Sequence, residues 1–153
     1  MKEFDYDLNY KELDFSDAET RKLYRIGRGE QGVLLVRPYT NDICAHWRFR
    51  TPEIAVKSSN KIFAMYLDYR DAKDFIGMDM CRKFLEMGFT RSRRYANHHT
   101  GRKYDDEGNV TPQEPDHATC KYAKSATIFK RVRDMVAKNE IYVRMRKQWR
   151  NNE

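Results

Sequence analysis

Apolar positions change their period several times along this 153-residue chain, and each change predicts an element. Over residues 1–15 acidic and aromatic positions alternate, with Phe4, Tyr6, Leu8, Tyr10, Leu13 and Phe15 near period two at first. That spacing predicts an extended N-terminal arm laid on the body of the protein. Ser16 with Glu19 fits a capping box and opens a short helix that Gly27 ends. Gly32-Val-Leu-Leu-Val36, bounded by glycine and by Pro38, is β-prone and predicts a buried strand or hairpin near residues 33–37.

The period then becomes helical. Thr51-Pro52-Glu53 is a helix start, with Thr as N-cap, Pro at the first position and an acid in the first turn. Ile54, Ser58, Ile62, Met65, Tyr66 and Tyr69 follow at helical spacing. A second pattern over Ala72–Met87 carries Phe75, Ile76, Met80, Phe84 and Met87 on one side, with Gly88 placed as its C-terminal cap. Thr90 is positioned to open a short third helix through Tyr95. Residues 98–118 turn polar, with Gly101, Gly108, Pro112 and Pro115, and are expected to form a mobile loop. Helical signals return from Thr119 to Trp149, and Asn139 divides them into a stripe of Ile128, Phe129, Val132, Met135 and Val136 and a terminal helix with Tyr142, Met145 and Trp149. The expected fold is therefore α+β: one mostly helical domain over 1–153 with a short strand or hairpin near 33–37.

Composition narrows the class. Hydrophobic residues make up 40 % of the chain and aromatics 13 %, too much apolar matter for a disordered protein although 35 % is charged. Cys44, Cys81 and Cys120 are odd in number and widely spaced, so no disulfide framework is implied and a reducing cytoplasm is expected. The N-terminus has no apolar run resembling a signal peptide, and no stretch approaches the ~18 apolar residues of a membrane span. A soluble, membrane-free protein is expected.

Charge is the main functional signal. Residues 1–80 hold 13 Lys and Arg against 14 Asp and Glu, whereas residues 81–153 hold 17 against 9. From Arg82 to Lys103 the only acid is Glu86. Arg91, Arg93, Arg94, His98, Arg102 and Lys103, with Tyr95 for stacking, form the first candidate nucleic-acid site, because guanidinium forks bind phosphate and tyrosines stack on bases. The alternative is a solvated arginine face paired with the acids of residues 68–79, such as Asp79 with Arg82 at i,i+3. Lys130, Arg133, Arg144 and Lys147 represent a second basic stretch, expected to form a helix's outer face or to track phosphates. His46-Trp-Arg-Phe-Arg50 puts rings and cations before a helix N-terminus that favours anions; Trp47 and Phe49 are expected to seat in the core with Arg48 and Arg50 outside.

Other chemistries are weaker. Gly27-Arg-Gly-Glu-Gln-Gly32 matches G-x-G-x-x-G, but it follows a helix and precedes a strand, the reverse of a dinucleotide site. Cys44-Ala-His46, His98-His99 and His117 with Cys120 contain metal-ligand types without the paired spacing of structural zinc, so no metal and no cofactor is expected. Glu30 and Asp79 are the first acids to test should hydrolysis be found. Asp68, Asp71, Asp74 and Asp79 spread over several helix faces.

Three strings, Gly27–Val36, His46–Ile54 and Gly77–Asn97, resemble an uncharacterised small single-domain family of unknown function found in bacteria and tailed phages. The resemblance spans Phe4 to Trp149, departs from the usual pattern at residues 99–118, and transfers no catalytic residue. The function expected from the residues is non-enzymatic nucleic-acid binding through the phosphate backbone, without strong sequence specificity and with DNA or RNA left open. One alternative is a module docking on an acidic host or virion protein; another is a nucleotide-handling enzyme using the Gly27–Gly32 loop. The expected location is the cytoplasm, the host's if the protein is phage-encoded.

Overall fold

The computed structural model describes residues 2–153. A turn of 3-10 helix at Tyr10–Glu12 precedes α1 (Ala18–Arg21), α2 (Tyr39–Cys44), α3 (Pro52–Asp71), α4 (Phe75–Asn97), α5 (Lys121–Ala137) and α6 (Glu140–Asn151). α3, α4 and α5 pack on one another, while α2 and α6 lean on α4. α4 is the axis of the molecule. Its Phe75, Ile76, Met78, Met80, Cys81, Phe84, Leu85 and Met87 are all buried, so it is apolar nearly all round over its first three turns, as a helix surrounded by others must be.

Local chemistry sets the helix ends. Thr51 Oγ1 accepts from the Ile54 N–H at 3.2 Å, with Pro52 at the first helical position. α3 closes in a Schellman turn: the Asp74 N–H bonds the Tyr69 carbonyl at 2.9 Å and the Lys73 N–H bonds the Arg70 carbonyl at 3.0 Å. Lys73 takes the left-handed position, at φ 57°. Asp74 then caps α4 at the Gly77 N–H and receives Arg21 at 2.7 Å and Tyr39 at 2.5 Å, so one carboxylate ties α1, α2 and α4. Asn139 caps α6 through the Tyr142 N–H and also accepts from Tyr66 at 3.0 Å, which separates α5 from α6 where the sequence divides them.

The α+β expectation is overturned: the protein is all-α. Among the described residues pairing is limited to one isolated antiparallel bridge, Tyr104 with Val110. Residues 33–37 form successive turns instead of a strand. The Val33 N–H bonds Glu30 at 3.1 Å, the Leu35 N–H bonds Gly32 at 3.0 Å, and the Val36 N–H is taken by the Thr40 hydroxyl at 3.0 Å. Val33 and Val36 are buried but Leu34 is 46 % exposed. A β-prone run with no neighbouring strand must satisfy its backbone locally, and here helices surround it.

The expected helix break at Gly88 is also absent. α4 runs through Gly88 and Thr90 to Asn97. A Cβ on Gly88 would lie 2.3 Å from the Phe129 ring, so this glycine lets α4 and α5 approach. Gly77 does the same against Tyr69.

Rings knit the ends of the chain to the middle. Phe4, Tyr10, Phe15, Tyr24, Trp149, Phe75, Tyr142 and Tyr66 form a continuous series with centroids 5.3–6.5 Å apart. Residues 4–15 are thereby packed onto the α4–α6 side of the core.

Candidate functional site

The short turn between α3 and α4 and the α4–α5 connection at the opposite end make the trio up-down-up. The start of α3, the end of α4 and the start of α5 therefore share one end of the molecule. There Phe49 lies 5.7 Å from Tyr95 and 6.2 Å from Tyr122, and Tyr95 lies 5.3 Å from Tyr122. Trp47 stacks tilted on Phe49 at 5.1 Å. These four rings line an open groove of about 1360 Å³ together with His46, Arg48, Arg50, Lys57 and Lys61. Among the described residues no carboxylate lines it.

The groove is electropositive for two reasons. The N-termini of α3 and α5 both end there, each adding the partial positive charge of unpaired N–H groups. Four cations surround it, and among the described residues none of Arg48, Arg50, Lys57 and Lys61 has a carboxylate within 4.0 Å. Arg48 folds back to donate to the Cys44 and Trp47 carbonyls at 3.2 and 2.6 Å, closing the end of α2. Trp47 Nε1 is shielded from solvent and finds no acceptor among the described residues.

The residues expected at a nucleic-acid site are dispersed. Tyr95 joins the groove. Arg93, Arg94, His98 and Lys103 line a smaller pocket of about 550 Å³ beside it, walled by Phe89, Val110 and Thr111. Arg93 donates to Asn97 at 2.9 Å and to the His117 carbonyl at 3.2 Å, which holds the 98–118 segment to α4. His98 is buried and bonds Thr111 through Nδ1 at 2.7 Å. Arg91 and Arg94 are exposed, and at 3.6 residues per turn Arg91 lies between Tyr95 and Arg94 around α4. Arg102 is paired with Asp106 at 2.9 Å. Arg133 turns inward to Glu86 at 2.7 Å and Asp134 at 2.8 Å, so it leaves the outer basic face to which the sequence assigns it. Lys130, Arg144 and Lys147 are exposed, with Lys147 in a pocket that also holds Glu86 and Asp134.

Three cations of the basic stretches are internal. Asp79 is fully buried and accepts from Tyr24 at 2.5 Å, Tyr142 at 2.6 Å and Arg82 at 2.8 Å, with Lys83 at 4.0 Å. Burial alone would raise its pKa; Arg82, Lys83 and the bonds from Arg82 and Tyr142 outweigh that and hold it at about 2. Lys83 moves the other way. Burial pulls its pKa down to about 7, with the charges of Arg82 and Arg150 pulling the same way and Asp79 opposing them only in part. Its ammonium donates to the Gln31 carbonyl at 2.7 Å and sits 4.9 Å over the faces of Phe4 and Tyr24.

This network also accounts for the glycine loop. Arg82 donates to Gly29 and Arg150 to Gly27, both at 2.9 Å, so the loop turns carbonyls toward cations. The N–H groups of Arg28, Gln31 and Val33 are bonded within the loop. Gly32, at φ 77°, has the Phe4 ring where a Cβ would sit. These contacts pack the turn against Phe4, α4 and α6.

Reading the sequence missed the joining of Trp47 and Phe49 with Tyr122, and the place of Lys57 and Lys61 beside them. The period of α3 carried the signal for the lysines, since both fall off its apolar stripe.

The chain belongs to the family described as a domain of unknown function (DUF4385), whose model matches residues 5–152. No curated protein and no solved structure matches it. No helix among the described residues is long and apolar enough to cross a membrane.

Proposed function

We propose that this member of the DUF4385 family is a non-enzymatic nucleic-acid-binding protein that holds a single strand in the groove at the α3–α5 N-terminal end. The observation that carries the reading is the lining: four rings, Arg48, Arg50, Lys57 and Lys61, and no carboxylate. Cations track a phosphate backbone, and rings stack on unpaired bases whatever their identity, at about 1–3 kcal/mol per base. A duplex keeps its bases stacked inside and cannot use the rings. Arg91 and Arg94 extend the path around α4 toward the pocket with Arg93 and Lys103. Phosphate contacts position a strand without reading it, so specificity is weak. A protein of bacterial or tailed-phage origin would meet such strands in the cytoplasm.

Fluorescence anisotropy with labelled single-stranded and duplex oligonucleotides over a salt series tests this. The single strand is expected to bind at least about tenfold tighter, with log K falling by about 0.7 per phosphate neutralised for each unit of log salt. A flat salt profile, or equal binding to the duplex, overturns the groove reading. Recovery of a protein partner that survives nuclease treatment, without oligonucleotide binding, would transfer the groove to an acidic protein.

A further inference from the structure

We propose a divalent transition-metal site, suited to zinc, at His99, Asp116 and Cys120, where the returning end of the 98–120 connection meets the start of α5. An imidazole nitrogen, a carboxylate oxygen and the Cys120 sulfur all lie within 4.8 Å of one another. In tetrahedral zinc, with metal–ligand bonds of about 2.0–2.3 Å, ligand atoms sit roughly 3.3–3.8 Å apart. Shifts of about an ångström, chiefly in the exposed His99 and Asp116 side chains, close the set around an ion.

The backbone holds the three residues in this relation. The Thr119 and Cys120 N–H groups both bond the Asp116 carbonyl, at 3.0 and 2.9 Å, forming one turn that puts Asp116 and Cys120 on the same side. The Glu114 N–H bonds Asn97 at the end of α4 at 2.8 Å, and Glu114 Oε1 accepts the His99 N–H at 3.2 Å. His99 is thus fixed to the same strip of chain. Its ring lies between two carboxylates: Nε2 is 3.0 Å from Asp116, and Nδ1 is 3.6 Å from Glu114 Oε2. A small movement of Glu114 would give the carboxylate–histidine pairing that orients a ligating imidazole.

The donor set selects the ion. Thiolate and imidazole disfavour calcium and magnesium and suit zinc. Thiolate and carboxylate together balance its two positive charges. Binding exchanges the Cys120 thiol proton to solvent for the metal, with no redox change, and leaves the fourth position to water. The alternative is a plain His99–Asp116 ion pair, in which Cys120 is a bystander. The sequence hides the site because its ligands are 17 and 4 residues apart and none forms a close pair with another Cys or His. Ligation here ties α4, the 98–120 connection and α5, and Tyr122 of the groove follows two residues after Cys120. The proposal rests on its own geometry and stands whether or not the groove binds nucleic acid.

The test is cobalt(II) and zinc titration of the full chain with Cys120→Ser, His99→Ala and Asp116→Asn, and with Cys44→Ser as control. The wild type and Cys44→Ser are expected to bind one metal per chain and to show a thiolate-to-cobalt charge-transfer band. Cys120→Ser is expected to lose that band, and each of the three variants to weaken zinc binding by at least about 10- to 100-fold, the loss that removing a ligand's hydrogen-bond partner alone brings. Zinc should raise the Tm of the wild type and leave that of Cys120→Ser unchanged, a readout that also shows the variant is folded. A cobalt spectrum without a thiolate band, or equal zinc binding in Cys120→Ser, overturns the proposal and leaves the ion pair.

Discussion

Asp79 is tightly constrained, because α4, α6 and the segment after α1 all place donors on one buried carboxylate. Its pKa is held at about 2, against 3.8 for the ordinary side chain. A depressed carboxylate stabilises the fold above its unfolded value and loses that contribution as pH falls from about 4 to about 2. The amount is about 2 kcal/mol. Lys83 acts in the opposite window. Its folded value of about 7 lies below the ordinary 10.5. The unfolded chain therefore binds more protons between those values, and stability rises with pH from about 7 until the tyrosines begin to ionise. Asp79→Asn leaves Arg82 and Lys83 without their counter-charge and is expected to cost about 3–5 kcal/mol in urea unfolding at neutral pH. Tyr142→Phe, which removes one bond, should cost about 1 kcal/mol and keep the acid limb. An Asp79→Asn protein as stable as Tyr142→Phe would show that the network does not act as one unit. The Asp79–Arg82 spacing was legible in the sequence, since i,i+3 on a helix is local. Tyr24 and Tyr142, 55 and 63 residues away, reach it only through the fold.

At the scale of elements, what the sequence disclosed depended on whether the determinant was local. The Thr51-Pro52 start of α3 and the Asn139 break before α6 are local caps, and both read correctly. Residues 33–37 did not, because β-prone residues report burial and stiffness and say nothing of a partner strand. Gly88 misled for a related reason. A glycine after an amphipathic run looks like a cap, yet its missing side chain here makes room for Phe129, 41 residues on in α5. The two exceptional positions along α3 and α4 give opposite expectations. Lys73→Gly relieves a left-handed lysine and should stabilise by about 1 kcal/mol. Gly88→Ala adds a good helix former at a closed crossing and should destabilise by about 1–2 kcal/mol, since overpacking exceeds the gain in propensity. Denaturant midpoints at constant m-value measure both. A stabilising Gly88→Ala would mean that α4 and α5 have room to part.

At the scale of the whole molecule, charge counted along the chain and charge mapped on the fold disagree instructively. The second half carries the excess of cations, but Arg82, Lys83 and Arg150 serve the interior, and Arg102 and Arg133 are paired with carboxylates. The near-neutral first half conceals Arg48, Arg50, Lys57 and Lys61, opposed only by Glu53 within residues 48–61. A sum over 80 residues cannot show a local cluster, and the folding of α3 against α4 and α5 sets that cluster beside the four rings. Two triple variants separate position from net charge. Arg50→Ala/Lys57→Ala/Lys61→Ala and Arg144→Ala/Arg146→Ala/Lys147→Ala each remove three positive charges from exposed helices or their approaches. General attraction to a polyanion predicts equal losses, because it depends on total charge. Binding in the groove predicts that the first triple weakens a single-stranded oligonucleotide at least about tenfold more than the second. It also predicts a shallower salt dependence in the first, by roughly 0.7 in slope for each phosphate contact removed. Equal losses with equal slopes would leave the groove without its ligand, because the same charge would then act the same wherever the fold put it.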